Sequence, residues 1–136
     1  MIELDVPATF DTNVAIYAIT DDAKGPTAAA IVASCPFVSV QVLNEYANAA
    51  SRKLKRDWRT IAADLAKLRS AGPVILPIGE EAHHEARRLA FRYGVSFYDA
   101  LMLAVALMGG ARTIYSKDMQ HGLFIDDRLR ILDPFR

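Results

Sequence analysis

The chain has 136 residues, of which 52% are hydrophobic and 24% are charged, and 16 Lys plus Arg balance 16 Asp plus Glu. This length supports one domain with a real hydrophobic core, because domains typically hold about 100 to 200 residues. Zero net charge and high apolar content exclude a disordered tail and a uniformly cationic coat for nucleic acids. We therefore expect a single folded domain over residues 1–136.

The sequence predicts neither a transmembrane helix nor a secretory signal. The longest apolar run has nine residues, 100–108, whereas a membrane-spanning helix needs about 20. The acidic start at residues 1–5 lacks the basic and apolar regions of a secretory signal. We expect no membrane segment and a cytoplasmic location. Cys35 is the only cysteine, so no internal disulfide can form, and we expect it to be a buried small apolar residue.

Short β-prone runs alternate with longer stretches of helical spacing, which is typical of an α/β fold. In chain order we predict a strand at 8–11, helices at 13–19 and 26–34, a strand at 37–40, helices at 41–53 and 57–70, a strand at 74–78, helices at 79–93 and 97–108, and strands at 112–115 and 129–132. Ligands in such folds lie at the carboxyl ends of parallel strands. Residues that follow the strands are therefore the first candidates for a site.

Asp11 directly follows the first predicted strand and precedes the first predicted helix. Asp is favoured at helix N-caps, so Asp11 has an ordinary structural explanation as a cap. Asn13 is an alternative cap, which would leave Asp11 free at the end of a buried strand. The sequence leaves the capping role and the site role both open.

Glu45 lies early in the helix predicted at 41–53. At about 100° per residue, Val42, Tyr46 and Ala49 form one apolar stripe, and Glu45 falls at its margin. Margin positions are commonly solvated, and a carboxylate in the first turns also suits the helix dipole. A solvated side chain and a site residue are both compatible with this position.

Residues 52–59 form a basic segment with five basic residues and one acid, a local charge of +4. Its basic residues are Arg52, Lys53, Lys55, Arg56 and Arg59. Such a segment attracts phosphates, although solvated Lys and Arg are also common where two helices join. Trp58 has helical spacing to Ile61, Ala62 and Leu65, which predicts a core position, and stacking on a nucleic-acid base is the alternative.

Asp99 is the only charge in the helix predicted at 97–108, which is apolar on nearly every side. Ser96 and Asp99 have the spacing of a capping box, although Glu or Gln normally fills the second position. A carboxylate buried there needs a cap, a cation or a metal, because an unpaired buried charge costs several kcal/mol. Asp118 follows the strand predicted at 112–115, where an ordinary turn aspartate is the alternative to a site residue.

The joint placement of these four acids carries more weight than any one of them. Parallel strands that end at the same edge of a sheet, with one helix entering there, would bring Asp11, Glu45, Asp99 and Asp118 together. Clustered carboxylates repel and raise each other's pKa unless a divalent cation lies among them. Oxygen-only ligands suit Mg²⁺ or Mn²⁺. The pattern therefore predicts a magnesium or manganese site.

Five segments of the chain resemble the PIN-domain ribonucleases, and more narrowly the VapC toxins of VapBC type II toxin-antitoxin systems. They are FDTNVAIY (10–17), QVLNE (41–45), FYDAL (97–101), YSKDMQHG (115–122) and ILDPF (131–135). The resemblance extends from about residue 8 to the C-terminus, with the motifs in the family's order. It implies a three-layer α/β/α domain with a mainly parallel five-stranded sheet.

The resemblance also implies a function: a toxin that acts as a magnesium-dependent endoribonuclease and hydrolyses RNA phosphodiester bonds. Carried over by position, Asp11, Glu45, Asp99 and Asp118 match the acidic quartet of the family, with Asp11 and Asp99 as the best candidates for direct metal ligands. Asn13 and Ser116 match the polar positions that support those carboxylates. The basic segment at residues 52–59 then becomes a candidate RNA-binding surface.

The partners implied by the resemblance are RNA, a second copy of the chain in a homodimer, and a VapB-type antitoxin whose C-terminal segment wraps around the toxin. Apolar helices near the N-terminus, including residues 28–32, are expected to offer the groove for that segment. We interpret His83 and His84 as surface residues and assign no catalytic role to His121.

Two other functions remain open from the sequence. An aspartate-nucleophile phosphatase also begins at an acidic strand end, but it usually needs a second Asp where this chain has Asn13. A PIN-like module that binds RNA or protein without cutting is the third hypothesis, and the intact quartet argues against it.

Overall fold

The computed structural model describes residues 7–136, in which two helices lie between successive members of the first four strands, and two further strands follow the fourth directly, giving six strands and six helices in all. The strands are β1 (Ala8–Phe10), β2 (Phe37–Ser39), β3 (Val74–Leu76), β4 (Thr113–Tyr115), β5 (Phe124–Ile125) and β6 (Leu129–Leu132). The helices are α1 (Thr12–Thr20), α2 (Gly25–Ser34), α3 (Val40–Arg52), α4 (Trp58–Ser70), α5 (Glu80–Tyr93) and α6 (Phe97–Met108). All eleven predicted elements are present, with ends within two residues of the prediction. Residues 1–5, whose acidic composition argued against a secretory signal, lie outside the described residues.

The sheet is mainly parallel, and this confirms the predicted α/β class. Strands β1, β4 and β6 are parallel neighbours in a four-stranded sheet of order β1-β4-β6-β5, and β5 is antiparallel to β6. Strands β2 and β3 form a separate parallel pair. The strand arrangement thus differs from the expected single sheet of five.

The two sheets meet where β2 lies beside β1. There the Thr9 hydroxyl donates a 2.8 Å hydrogen bond to the Phe37 carbonyl. At this boundary the bond to β2 therefore comes from a side chain of β1 and not from its backbone. The strands accordingly form two sheets, one of four strands and one of two.

Helix α6 forms the centre of the core. Residues 100–107 of this helix are each at most 8% exposed, which confirms the prediction of a buried helix. Cys35 is 3% exposed, as expected of a small apolar residue. In residues 7–136 no single helix is long and apolar enough to cross a membrane; α5 and α6 meet that criterion only as a pair, which is bent by 116°.

The hairpin formed by β5 and β6 was not predicted. Its turn contains Asp126 and Asp127, which both adopt left-handed backbone conformations with φ of 51° and 52°. Asp126 is held from α5, where Arg88 Nη2 donates to its Oδ2 at 2.5 Å and the Tyr93 hydroxyl donates to its Oδ1 at 3.1 Å. These contacts fasten the hairpin to the helix layer.

The prediction that Trp58 anchors the core is wrong, because its side chain is 65% exposed. The buried residues of α4 are Ile61, Asp64 and Leu68. At about 100° per residue Trp58 lies roughly 90° from the middle of that buried face. It is also the first residue of the helix, so no preceding turn of α4 supports it.

Candidate active site

The carboxyl ends of β1 and β4 bring two of the predicted site residues together. The parallel register pairs Phe10 with Tyr115, so the next residues, Asp11 and Ser116, are neighbours. The Asp11 amide donates to the Tyr115 carbonyl at 2.9 Å, and the Ser116 hydroxyl donates to Asp11 Oδ2 at 3.0 Å. The strand register thus determines the first contact of the site.

Asp11 has the capping role that the sequence left open, and it fills this role with one of its two carboxylate oxygens. It is the N-cap of α1, and its Oδ1 accepts a 2.7 Å hydrogen bond from the Thr12 amide. The alternative in which Asn13 caps this helix is therefore wrong. Because Oδ2 points instead to Ser116, the carboxylate is oriented from both sides.

The environment of Asp11 disfavours its charged form. The residue is only 7% exposed, and burial raises its pKa from 3.8 to about 6. Hydrogen bonds from Thr12 and Ser116 act to lower this pKa, whereas the charges of Glu45 and Asp99 raise it further. Glu45 and Asp99 are therefore close enough to act on Asp11, although they lie on two different helices.

Two more of the predicted acids are supported by side chains of the first turn of α1. The Thr12 hydroxyl donates to Glu45 Oε1 at 2.8 Å, and the Asn13 amide donates to Asp118 Oδ2. Gln41 Nε2 donates to Glu45 Oε2 at 3.1 Å. The short segment that starts at Asp11 therefore contacts two further acids of the predicted quartet.

Asp99 and Asp118 are positioned by local caps and turns. Ser96 is the N-cap of α6, and its hydroxyl accepts from the Asp99 amide at 3.3 Å, so the expected cap is present at this helix start. In the segment after β4, the Ser116 hydroxyl accepts from the Met119 amide at 3.1 Å. Ser116 therefore orders the segment that carries Asp118 as well as holding Asp11.

The donor chemistry of these acids fits a hard divalent cation, because all of their ligand atoms are carboxylate oxygens. A cation here would also compensate the buried charge of Asp11. Within residues 7–136, however, no group of three or more acidic, His or Cys side chains has the geometry to hold a metal ion. Hydrogen bonds to neighbouring side chains hold Glu45 and Asp118 in the observed arrangement.

The basic segment at residues 52–59 is exposed apart from one member. Arg52, Lys53, Lys55 and Arg59 are exposed. Arg56 instead donates from Nε and Nη2 to the carboxylate of Asp64, both at 2.8 Å. Asp64 of α4 also accepts from the Tyr46 hydroxyl of α3 at 2.7 Å, so its carboxylate joins the two helices. Arg56 is engaged with the same carboxylate, which leaves Arg52, Lys53, Lys55 and Arg59 as the candidate RNA contacts.

Sequence reasoning missed a polar cavity beside Glu45. The cavity has a volume of about 360 Å³ and is lined by Gln41, Asn44, Glu45, Asn48 and Tyr98. The available signal was the helical spacing of three amide residues on α3. The histidines lie elsewhere: His83 and His84 are exposed, as expected, and His121 Nδ1 accepts from the Asp133 amide at 2.9 Å.

Comparisons with known structures show the same fold in toxin-antitoxin proteins. A toxin-antitoxin complex from Klebsiella pneumoniae has a TM-score of 0.67 and 21% identity, with 93% of this chain and 97% of that chain covered. VapBC2 from Rickettsia felis, bound to a DNA fragment from its promoter, has a TM-score of 0.67 and 18% identity, with 93% and 98% covered. Among curated proteins, none matches the chain.

One solved structure is closer in sequence. It is Mycobacterium tuberculosis VapC20, a toxin described as cleaving the sarcin-ricin loop, with 26% identity, a TM-score of 0.64, and 82% of this chain and 89% of that chain covered. The family model of the PIN domain matches residues 8–122, which include all four predicted acids. The chain therefore belongs to the PIN domain family.

Proposed function

We propose that this chain is the toxin of a type II toxin-antitoxin system and acts in the cytoplasm as a magnesium-dependent endoribonuclease. Membership of the PIN domain family supports nuclease chemistry. The similarity to VapC20, at 26% identity over most of both chains, supports RNA as the substrate class. The two more distant toxin-antitoxin structures support the fold.

The burial of Asp11 is the observation that carries the proposal. A carboxyl group that is 7% exposed, beside two further acids, is unfavourable for stability unless something compensates its charge. It lies at the carboxyl end of a parallel strand, where α/β folds bind their ligands. The position thus costs stability in the free protein and suits a bound cation.

We assign Asp11 and Asp99 as direct ligands, with Glu45 and Asp118 completing the site directly or through water. A bound Mg²⁺ would lower the pKa of a coordinated water and offset charge on the phosphoryl oxygens. Ser116 and the Thr12 amide hold the Asp11 carboxylate in one orientation. We assign to Glu45 and Asp118 the task of orienting the attacking water and accepting its proton.

The exposed cations of the basic segment provide the proposed RNA-binding surface. Arg52, Lys53, Lys55 and Arg59 lie at the end of α3 and the start of α4. Cations of this kind bind phosphates without reading sequence, so their contribution weakens with salt. Exposed Trp58 adds an aromatic surface next to them, which restores the stacking alternative for this residue.

We further propose that a VapB-type antitoxin binds a groove between α1, α2 and α4, and that the toxin forms a homodimer. The groove has a volume of about 220 Å³ and is lined by Ala18, Ile19, Ala29, Val32, Lys67, Leu68 and Ala71. Of the apolar stretch expected to form it, Ala28, Ile31 and Val32 are buried, while Ala29 and Ala30 are exposed. An apolar groove beside a helix suits an amphipathic segment.

Co-purification with the protein encoded by the neighbouring gene tests the partner. We expect Ala29→Arg to abolish the complex, because the new side chain fills the groove. Ala30→Arg is the matched control, since Ala30 is exposed but does not line the groove. Equal loss with both variants, or a stable monomer that never binds the neighbouring protein, would contradict the proposal.

Cleavage of RNA tests the enzymatic proposal. We expect wild type to cut structured RNA in Mg²⁺, to stop when a chelator is added, and to resume when Mg²⁺ is restored. Asp99→Asn should be folded and inactive, while Asp22→Asn, which alters an exposed acid outside the quartet, should behave as wild type. Hydrolysis of small phosphomonoesters without RNA cleavage would favour the phosphatase alternative.

One observation favours the non-catalytic alternative, a PIN-like module that binds RNA or protein without cutting. Within the described residues the acids do not form a group ready to hold a metal, and Glu45 and Asp118 are engaged with Thr12 and Asn13. RNA binding that is unchanged by Mg²⁺, with no cleavage at any metal concentration, would establish this alternative.

A further inference from the structure

We propose that one face of α3, together with Tyr98, forms a pocket for an unpaired base of the RNA beside the phosphate that is cut. This inference rests on the proposed nuclease function and adds to it a site of base recognition. The pocket is the cavity of about 360 Å³ next to Glu45.

Four of the five lining residues come from a single helix face. They are Gln41, Asn44, Glu45 and Asn48, with the i, i+3, i+4 and i+7 spacing that aligns side chains along one side of a helix. Tyr98, at the start of α6, supplies the fifth lining residue. Two helices that also carry predicted site acids therefore build the cavity.

The lining chemistry favours a neutral, planar ligand over a phosphate. Among the described residues that line this cavity there is no Lys or Arg, and Lys and Arg supply most of the affinity of proteins for phosphates. Asn and Gln side chains carry a donor and an acceptor side by side, which pair with a base edge such as that of adenine. Gln41 and Asn44 are already connected at 3.3 Å, and Gln41 is fixed by Glu45, so the amides form an ordered row.

Tyr98 provides the flat surface that an unstacked base requires. Tyr98 is 60% exposed, and its ring makes an edge contact with the ring of Phe97 at 5.5 Å between the centroids. Single-stranded RNA is recognised by stacking splayed bases on such rings and by hydrogen bonds to their edges. An exposed aromatic beside a row of amides supplies both interactions.

The pocket lies on a continuous path between the acidic site and the basic segment. Glu45 belongs to the acidic quartet and also lines the pocket, and Asp99 directly follows Tyr98 in the chain. Arg52 is on the same face of α3, about 10 Å beyond Glu45 at about 1.5 Å per residue. An RNA chain that is cut at the acidic site can thus insert a base beside Asn48 and place a phosphate against Arg52.

Cleavage of a random-sequence, single-stranded RNA pool in Mg²⁺ tests the pocket. For wild type we expect one position near the cut to show a base preference. Tyr98→Ala and Asn48→Ala should each flatten that preference and reduce kcat/KM for the preferred base by about tenfold or more. Tyr98→Phe should recover the preference, because the stacking surface is kept. Phe91→Ala is the matched control, since Phe91 is 93% exposed and lies outside the pocket on α5.

A binding measurement separates failure of the pocket from failure of the nuclease proposal. Short RNA containing fluorescent 2-aminopurine is titrated against the Asp11→Asn protein, in which the pocket residues are intact. Stacking should quench the fluorescence, and adding Tyr98→Ala should remove the quenching. Cleavage by wild type with a preference unchanged in Tyr98→Ala and Asn48→Ala would overturn the pocket and leave the nuclease proposal standing. Quenching without any cleavage would support the pocket and overturn the nuclease.

Discussion

The hydroxyl of Ser116 donates a hydrogen bond of 3.0 Å to Asp11 across the adjoining ends of β4 and β1. The two residues are 105 positions apart in the chain, and the parallel register alone makes them neighbours. This bond opposes the effect of burial on the pKa of Asp11 and orients the carboxylate. Ser116 is therefore a positioning residue for the proposed metal ligand.

Replacing Ser116 by Ala should raise the pKa of Asp11 above its value of about 6. The variant loses a hydrogen bond that favours the charged carboxylate, so the acidic limb of the pH profile for RNA cleavage should move to higher pH. We expect a stability loss of about 1 kcal/mol. Ser70→Ala removes an exposed hydroxyl far from the site acids in sequence and serves as control. Identical pH profiles for Ser116→Ala and wild type would contradict the assigned role.

Replacing Asp11 by Asn should stabilise the metal-free protein at neutral pH. The folded pKa of about 6 exceeds the ordinary value of 3.8, so the folded state keeps a proton that the unfolded state releases as pH rises from about 4 to 6. Wild type therefore loses up to about 3 kcal/mol over that interval because of Asp11. Asn cannot ionise and still caps a helix well.

Urea unfolding in chelator at pH 4 and pH 7 measures this effect as the difference between variant and wild type. The difference should grow in favour of Asp11→Asn as pH rises. Addition of Mg²⁺ at pH 7 should then stabilise wild type alone, since ligands stabilise the state that binds them. A difference that is independent of pH, or equal Mg²⁺ stabilisation of both proteins, would contradict the proposed role of Asp11.

Asp64 should show the opposite pH behaviour. Burial acts to raise its pKa, but hydrogen bonds from Arg56 and Tyr46 outweigh burial and hold the pKa below its ordinary value. Its contribution is therefore present at neutral pH and lost as pH falls through that lowered pKa. We expect Asp64→Asn to lower the free energy of unfolding at pH 7 by about 2 kcal/mol, because a charged hydrogen-bond partner is lost.

The control for Asp64→Asn is the same substitution at Asp57, the exposed N-cap of α4. Asn and Asp cap helices about equally well, so Asp57→Asn should change stability little. Both variants are compared by urea unfolding at pH 7 and pH 4. A similar small effect for the two substitutions would show that Asp64 does not join α3 and α4 as we infer.

The two left-handed aspartates of the hairpin should respond differently to glycine. Asp127→Gly relieves an uncommon backbone conformation and should keep or slightly raise the melting temperature. Asp126→Gly relieves a similar conformation but removes the bonds from Arg88 and Tyr93. Because Arg88 is 44% exposed, solvent weakens this ion pair, and we expect a net loss of about 1 kcal/mol. Equal melting temperatures for the two variants would contradict this role of Asp126.

The helices and the strands of three or four residues could be predicted from apolar runs and periodicity, because most of them bury an apolar face. The hairpin strand β5 could not, since two residues are too short for an alternating pattern and the Asp126-Asp127 pair lacks the glycine typical of such turns. The prediction for Trp58 was wrong for a related reason. Helical spacing indicates the buried face of a helix only approximately, and the buried face of α4 is centred away from Trp58.

The site could be predicted as a set of residues but not as a geometry. The order of strands made Asp11 and Ser116 candidates, whereas the supports that Thr12 and Asn13 give to Glu45 and Asp118 depend on the direction in which α1 leaves β1. Arg56 looked like its basic neighbours in sequence, and only the fold reveals Asp64 beside it.

The rate of RNA cleavage by Asp11→Asn, measured beside wild type in metal-controlled buffer, tests the central claim most directly. Circular dichroism and thermal unfolding must show that both proteins are folded. We predict Mg²⁺-dependent cleavage by wild type and none above background by the variant, although the variant is the more stable protein without metal. Cleavage by Asp11→Asn at a rate near that of wild type would contradict the assignment of the buried carboxylate as the centre of the metal site.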